Sequence, residues 1–238
     1  MQQIFDFPVT PACTFDSFVS CDGNAAALDF ARKVISSSEA DKLLYLHGPS
    51  GSGKTHLLKA VSHAIAACAG QAAPCLSCRE LSSAEQLISS SAGAPALLVD
   101  DLHLLPDDAG CRNALWQLFN DFYIAGHPVV MTGLYPPREL PHIDDHLVSR
   151  LLWGLVARVD VSDDHSRRMI LKKVADDRQV RVPEDVVDYI LITSGREVGE
   201  LIANFESIYR LSLAEKRRIT LPLARESREM HLSVETHL

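Results

Sequence analysis

No apolar run in this 238-residue sequence approaches the ~20 residues that a membrane-crossing helix requires. Excess positive charge is also missing: 23 Lys+Arg against 31 Asp+Glu leave a net charge of −8. That argues against a general nucleic-acid coat, which needs clustered cations to neutralise phosphates, but not against a local basic strip. The opening residues, Met1-Gln2-Gln3-Ile4-Phe5-Asp6, have neither the positive start nor the apolar middle of a secretion signal. A soluble, cytoplasmic protein is expected. Cysteine is present six times but scattered, and a chain of this size folds without disulfides. Cys75 and Cys78 make one C-x-x-C, which reads as a redox pair or half a zinc site. A zinc site needs a second ligand pair at motif spacing, and none is found. Reduced, structural thiols are the expectation.

What is present is ordinary globular material, 47% hydrophobic and 23% charged. A chain of this length forms one or two domains. Residues 1–20 show little periodicity and read as an extended arm. Helical spacing over Asn24–Ile35 is followed by a short apolar run, Lys42–His47, ending in Gly-Pro. Helices are expected over His56–Ala69, Ser83–Ser90 and Cys111–Ala125. Apolar strands are expected over Pro74–Ser77, Ala96–Val99, Pro128–Thr132 and Leu155–Asp160. Strands that alternate with helices and are apolar on both faces imply a parallel sheet sandwiched by helices. After Asp163 only helices are expected, over Ser166–Asp176, Glu184–Thr193 and Glu197–Lys216. The division is an arm over 1–20, an α/β core over 21–162, a helical lid over 163–230 and a tail over 231–238. Lys216-Arg217-Arg218 reads as a solvated helix end, with a single-strand DNA contact as the alternative.

The segment Gly48-Pro49-Ser50-Gly51-Ser52-Gly53-Lys54-Thr55 satisfies G-x-x-x-x-G-K-[ST] between a strand and a helix. Its glycines let the backbone curl so that successive N–H groups face phosphate oxygens, and the following helix N-terminus adds partial positive charge. Lys54 is then the group for the β- and γ-phosphates of ATP, or the diphosphate of ADP, and Thr55 a ligand for Mg²⁺. Ala96-Leu97-Leu98-Val99-Asp100-Asp101 delivers two carboxylates at a strand end, where open parallel sheets bind ligands. Asp100 would complete the metal site and Asp101 would polarise an attacking water.

Several ordered blocks resemble the AAA+ core of the DnaA family. They are Phe15-Asp16-Ser17-Phe18-Val19 with Asn24, Gly48 to His56, Leu98 to Leu102, Leu147 to Leu155, and Leu171 to Pro183. The resemblance spans nearly the whole chain and adds His56 to the cofactor-binding set. Only a short tail follows the last expected helix, so the layout implies no C-terminal sequence-specific DNA-binding domain. It matches the shorter Hda-type members, which bind the sliding clamp and promote ATP hydrolysis by DnaA. On this resemblance Gln2, Ile4, Phe5 and Phe7 correspond to a clamp-binding peptide, although the same residues could pack on the protein's own surface. Arg150 corresponds to an arginine finger, which also implies self-association or pairing with DnaA through the AAA+ face. Thr132 is the remaining candidate for a phosphate sensor.

The chain departs from the family pattern at four places. His146 replaces an arginine, Leu134 and Tyr135 stand where Asp and Arg are usual, and Gly199 takes the place of the lid arginine that reaches the phosphates. These departures imply a weak ATPase at most. The expected function is an Hda-like regulator of chromosomal replication initiation. The alternatives are a non-hydrolysing nucleotide-dependent adaptor or loader, and an autonomous DNA-dependent ATPase.

Overall fold

The computed structural model describes residues 13–36 and 42–235. Five parallel strands, β1 (Leu43–His47), β2 (Cys75–Ser77), β3 (Leu97–Asp100), β4 (Val129–Gly133) and β5 (Leu155–Arg158), form one sheet in the order β2-β3-β4-β1-β5. The helices around the sheet are α1 (Ala25–Ser36), α2 (Lys54–Ala69), α3 (Ala84–Ser91), α4 (Ala109–Ile124) and α5 (Asp145–Leu151). The helical C-terminal part consists of α6 (Asp164–Asp177), α7 (Glu184–Thr193), α8 (Val198–Glu215) and α9 (Leu221–Glu235).

Strand residues point alternately to the two faces, and both faces are covered. Leu43 and Tyr45 of β1, Leu97 and Val99 of β3 and Met131 of β4 pack with Leu87, Leu115, Phe119 and Leu147 from α3, α4 and α5. Leu44, Leu46, Leu98 and Val130 pack on the other side with Ala27, Ala31, Leu57, Leu58 and Val61 from α1 and α2. Each such leucine contributes roughly 1.5–3 kcal/mol by leaving water. The parallel α/β sandwich expected from the sequence is the observed fold.

The helical part has its own core of Leu171, Val187, Ile190, Leu201, Phe205 and Ile208. A small fourth cluster joins it to the sheet domain: Cys21, Val161 and Val198, with Ile170 and Ile202 against them. Two helices have no counterpart in the sequence reading. In α5 only Leu147 and Leu151 are buried, too short a stripe to register as periodic. In α9 the segment assigned in part to a tail is helical through Glu235. It packs on α7 and α8 with Ala224 in their shared core and Leu221 against it, and Pro222 sits in its first turn, where a missing N–H costs nothing. No helix among the described residues is long and apolar enough to cross a membrane. The six cysteines are free, and burial pushes the Cys75 and Cys78 thiols up to about 11 and about 12. Those two thiols pack in the cores on the two faces of the sheet, where little thiolate forms.

Candidate functional site

β1 lies between β4 and β5 and ends at His47, so the loop that follows opens at the sheet's C-terminal edge from an interior strand. Gly48 has φ +149°, and a Cβ there would stand 2.0 Å from the Val159 carbonyl oxygen. No other residue fits. Gly51 has φ +68° and lies against the first turn of α8, where its Cβ would come 3.2 Å from the Gly199 nitrogen. Gly53 is the N-cap of α2 with φ +103° and supplies no side-chain cap. The first-turn N–H groups of α2 have no carbonyl behind them within the helix and remain available to an anion in the curl.

Lys54 is 6% exposed, and its Nζ donates to the Gly48 and Pro49 carbonyls at 2.8 and 2.7 Å. Burial lowers its pKa, opposed by Asp101, Asp100 and Glu197. The ammonium therefore holds the loop's own oxygens at the place where phosphate oxygens would compete for it. Next along α2, Thr55 Oγ1 donates to Asp100 Oδ2 at 2.8 Å.

The register of β3 on β4 pairs Val99 with Met131 and so sets Asp100 beside Thr132. The fully buried Thr132 hydroxyl donates to Asp100 Oδ1 at 2.5 Å and accepts from the Asp101 N–H at 3.0 Å. Asp101 itself adopts a left-handed conformation, φ 55° and ψ 47°, which turns the chain into a 3-10 turn over Leu102–Leu104. A non-glycine residue there is strained, and the Thr132 hydrogen bond secures it. Lys54, Thr55, Asp100, Asp101 and Thr132 thus converge. Their donor set fits the groups the sequence implies: N–H groups and an ammonium for a polyphosphate, hydroxyl and carboxylate oxygens for a hard divalent cation.

Other expected site residues lie elsewhere. The Nε2 of His56 is 3.1 Å from both Ser17 Oγ and the Thr14 carbonyl oxygen, and its ring meets Phe18 edge-on. It straps the N-terminal segment to α2, and Phe18 in turn backs Gly53. Pro49, Ser50, Gly51 and Ser52 line a narrow cleft of about 10 Å³ with Asp160, Ser162, Arg196 and Val198. Asp160 and Ser162 carried no local signal, because only the fold brings them to the loop. Gly199 leaves open space where a side chain would project. Leu134 donates its N–H to His103 Nδ1 at 3.3 Å, and Tyr135 packs edge-on against that imidazole. Gln2, Ile4, Phe5 and Phe7 lie outside the described residues.

Arg150 stands apart from the phosphate loop, on α5. Its guanidinium lies 4.2 Å over the ring of Trp153, which is 65% exposed, and 5.9 Å from that of Trp116. His146 completes the group, 6.1 Å from Trp116. This is a cation presented on an aromatic face.

Comparison with known proteins gives two family matches. The model of the bacterial DnaA ATPase domain covers residues 9–158, and that of the Hda lid domain covers residues 164–227. The chain is 28% identical over 231 residues to the chromosomal replication initiator protein DnaA of Geobacter sulfurreducens, spanning 92% of this chain and 52% of the relative. It therefore spans about half the length of that relative. Among solved structures, domain III of the Thermotoga maritima replication initiation protein DnaA superposes with a TM-score of 0.79 at 22% identity. That match covers 93% of this chain and 97% of the other. AMPPCP-bound DnaA from Aquifex aeolicus gives 0.74 at 21% identity, covering 87% and 67%. At these identities the structural likeness concerns the fold alone.

Proposed function

The chain belongs to the bacterial DnaA ATPase-domain family, and from that premise we propose that it is an Hda-like, DnaA-related regulator of chromosomal replication initiation. In this reading it binds ATP or ADP with Mg²⁺ and acts on DnaA together with the sliding clamp. The observation that carries the reading is the pairing of an Hda-type lid, matched over residues 164–227, with a full set of phosphate-loop groups beside it. The AMPPCP held by the Aquifex aeolicus DnaA is consistent with a nucleotide in that loop.

Each residue has a part. The N–H groups of the 48–55 loop and the α2 N-terminus orient the phosphates, and Lys54 exchanges its two carbonyl partners for phosphate oxygens. Thr55 and Asp100 hold Mg²⁺, which supplies charge neutralisation when bound. Asp101 orients the attacking water, and the one Thr132 hydroxyl holds the Asp100 carboxylate and the Asp101 backbone N–H. Arg150, stacked on Trp153, is the group offered to a neighbouring AAA+ subunit, and Gln2, Ile4, Phe5 and Phe7 dock on the clamp. Gly199 offers no charge to the phosphates from the lid, so intrinsic hydrolysis is slow. That same glycine favours a second reading, a nucleotide-dependent adaptor or loader that never hydrolyses.

ATP hydrolysis measured with and without DnaA, clamp and DNA separates these readings. A regulator accelerates hydrolysis by DnaA in the presence of clamp, whereas an adaptor changes nothing and a motor responds to DNA alone. Arg150→Ala is expected to bind nucleotide normally and to lose the stimulation, since such a finger is worth ~10³–10⁵ in rate. Undiminished stimulation by Arg150→Ala would overturn its assignment. Lys54→Ala is expected to abolish the nucleotide-dependent rise in melting temperature, which at 100 times the dissociation constant reflects about 2.7 kcal/mol. Capture of the clamp by the unaltered chain and not by Gln2→Ala tests the peptide.

A further inference from the structure

Arg167, on α6, is 3% exposed, although arginine is almost never buried without partners. Its partners are unusual. Nη2 donates to the Gly195 carbonyl at 2.6 Å and reaches the Ser194 and Leu191 carbonyls at 3.3 and 3.4 Å. These oxygens belong to the last turn of α7 and the loop leading to α8, where the helix dipole favours a cation. Nη1 meets Asp164, whose side chain is largely in solvent. Nε is the buried side-chain atom that, among the described residues, has no hydrogen-bond partner. A buried charge with one unsatisfied donor is a poor device for stability alone.

The loop it grips leads directly to the phosphate loop. Arg196 follows Gly195 and reaches the Ser162 carbonyl at 3.4 Å. Glu197 caps α8, Val198 inserts between Cys21 and Val161, and Gly199 brings the α8 backbone against Gly51. With a glycine there, position 199 itself sends no side chain toward the phosphates. At Gly51 the nearest lid atoms are the Gly199 and Val198 backbone nitrogens, so the position of the first turn of α8 sets how closely the lid meets the loop.

We propose that Arg167 is a positioning residue that fixes the 194–197 loop to α6 and thereby registers the first turn of α8 on the phosphate loop. This rests on the reading of residues 48–55 as a nucleotide site. The guanidinium fork serves both sides at once, Nη2 toward the carbonyls and Nη1 toward Asp164, a division that a single lysine ammonium cannot make. Arg167→Met keeps an aliphatic stem within the α6–α7 packing while removing every hydrogen bond to the loop.

The test uses the full chain at a temperature where circular dichroism shows the variants folded. Affinity for a fluorescent ADP and a fluorescent ATP is measured with Mg²⁺, alongside amide exchange over residues 196–201 in the nucleotide complex. Arg167→Met is expected to weaken both nucleotides at least tenfold and to speed that exchange, and Arg167→Lys to restore only part of the affinity. If Arg167→Met binds as tightly as the unaltered chain, with only a lower melting temperature, the proposal is wrong and the residue is a helix cap. Full rescue by Arg167→Lys would equally overturn it. Failure of the unaltered chain to bind either nucleotide would instead sink the reading of the site on which the proposal stands.

Discussion

Thr132→Val is the most informative single change at the strand ends. Valine matches threonine in shape, so no cavity opens, but the hydroxyl that links two carboxylate-bearing residues is gone. Asp100 Oδ1 loses a donor at 2.5 Å and the Asp101 N–H loses an acceptor at 3.0 Å, beside a side chain fully removed from water. A hydrogen bond to a charged group contributes about 1.5–3 kcal/mol, and an orphaned buried group costs about 1–3 kcal/mol. Sharing between the two bonds puts the expected loss at about 3 kcal/mol. For a chain of this size that corresponds to a melting temperature lower by ~6–12 °C. The assay is thermal unfolding without nucleotide and with chelator present, so that ligand linkage does not enter. Thr132→Ser keeps the hydroxyl and drops one methyl, which costs about 0.5–1.5 kcal/mol at a buried position. A Thr132→Val protein that melts within ~2 °C of the unaltered chain would refute the assigned energetics. So would a Thr132→Ser protein that loses as much as Thr132→Val, because packing would then carry the effect.

Two further outcomes follow from the same geometry. Gly48→Ala places a methyl 2.0 Å from the Val159 carbonyl oxygen at φ +149°, whereas Gly93, at φ +69°, has open space around an added Cβ. Gly48→Ala is therefore expected to lose more than ~3 kcal/mol and Gly93→Ala only ~1–2 kcal/mol, and equal urea midpoints would contradict this. Burial holds the His56 pKa below 6.5, outweighing the Thr14 carbonyl. A depressed folded pKa means that the stability is present above pH 6.5 and is lost as pH falls through the folded value. Melting temperatures between pH 7.5 and 5 should fall less steeply for His56→Gln than for the unaltered chain, and parallel curves would remove His56 from the acid response.

The sheet was legible because each core strand is apolar on both faces. The burial of Leu43, Leu44, Tyr45 and Leu46 is what that run of residues demands. The phosphate loop was legible because its chemistry is local, with eight consecutive residues making one curl. The left-handed turn at Asp101 was not, since it depends on a hydroxyl 31 positions away on another strand. His56 sits inside the loop motif yet serves the N-terminal segment, and only the partner distances reveal this. Arg167 stood within an ordinary charged helix pattern. Its burial arises from α7 folding back over α6, which no window of neighbouring residues records.

The stacking of Arg150 on Trp153 has a consequence for how this face is read by another molecule. An unrestrained arginine gives up about 2 kcal/mol of rotamer freedom when a partner immobilises it. Here the indole 4.2 Å beneath the guanidinium has already taken up part of that loss in the isolated chain. An approaching surface therefore meets a flat, pre-aimed cation resting on a ring, and recognition is governed by docking angle more than by the capture of a wandering side chain.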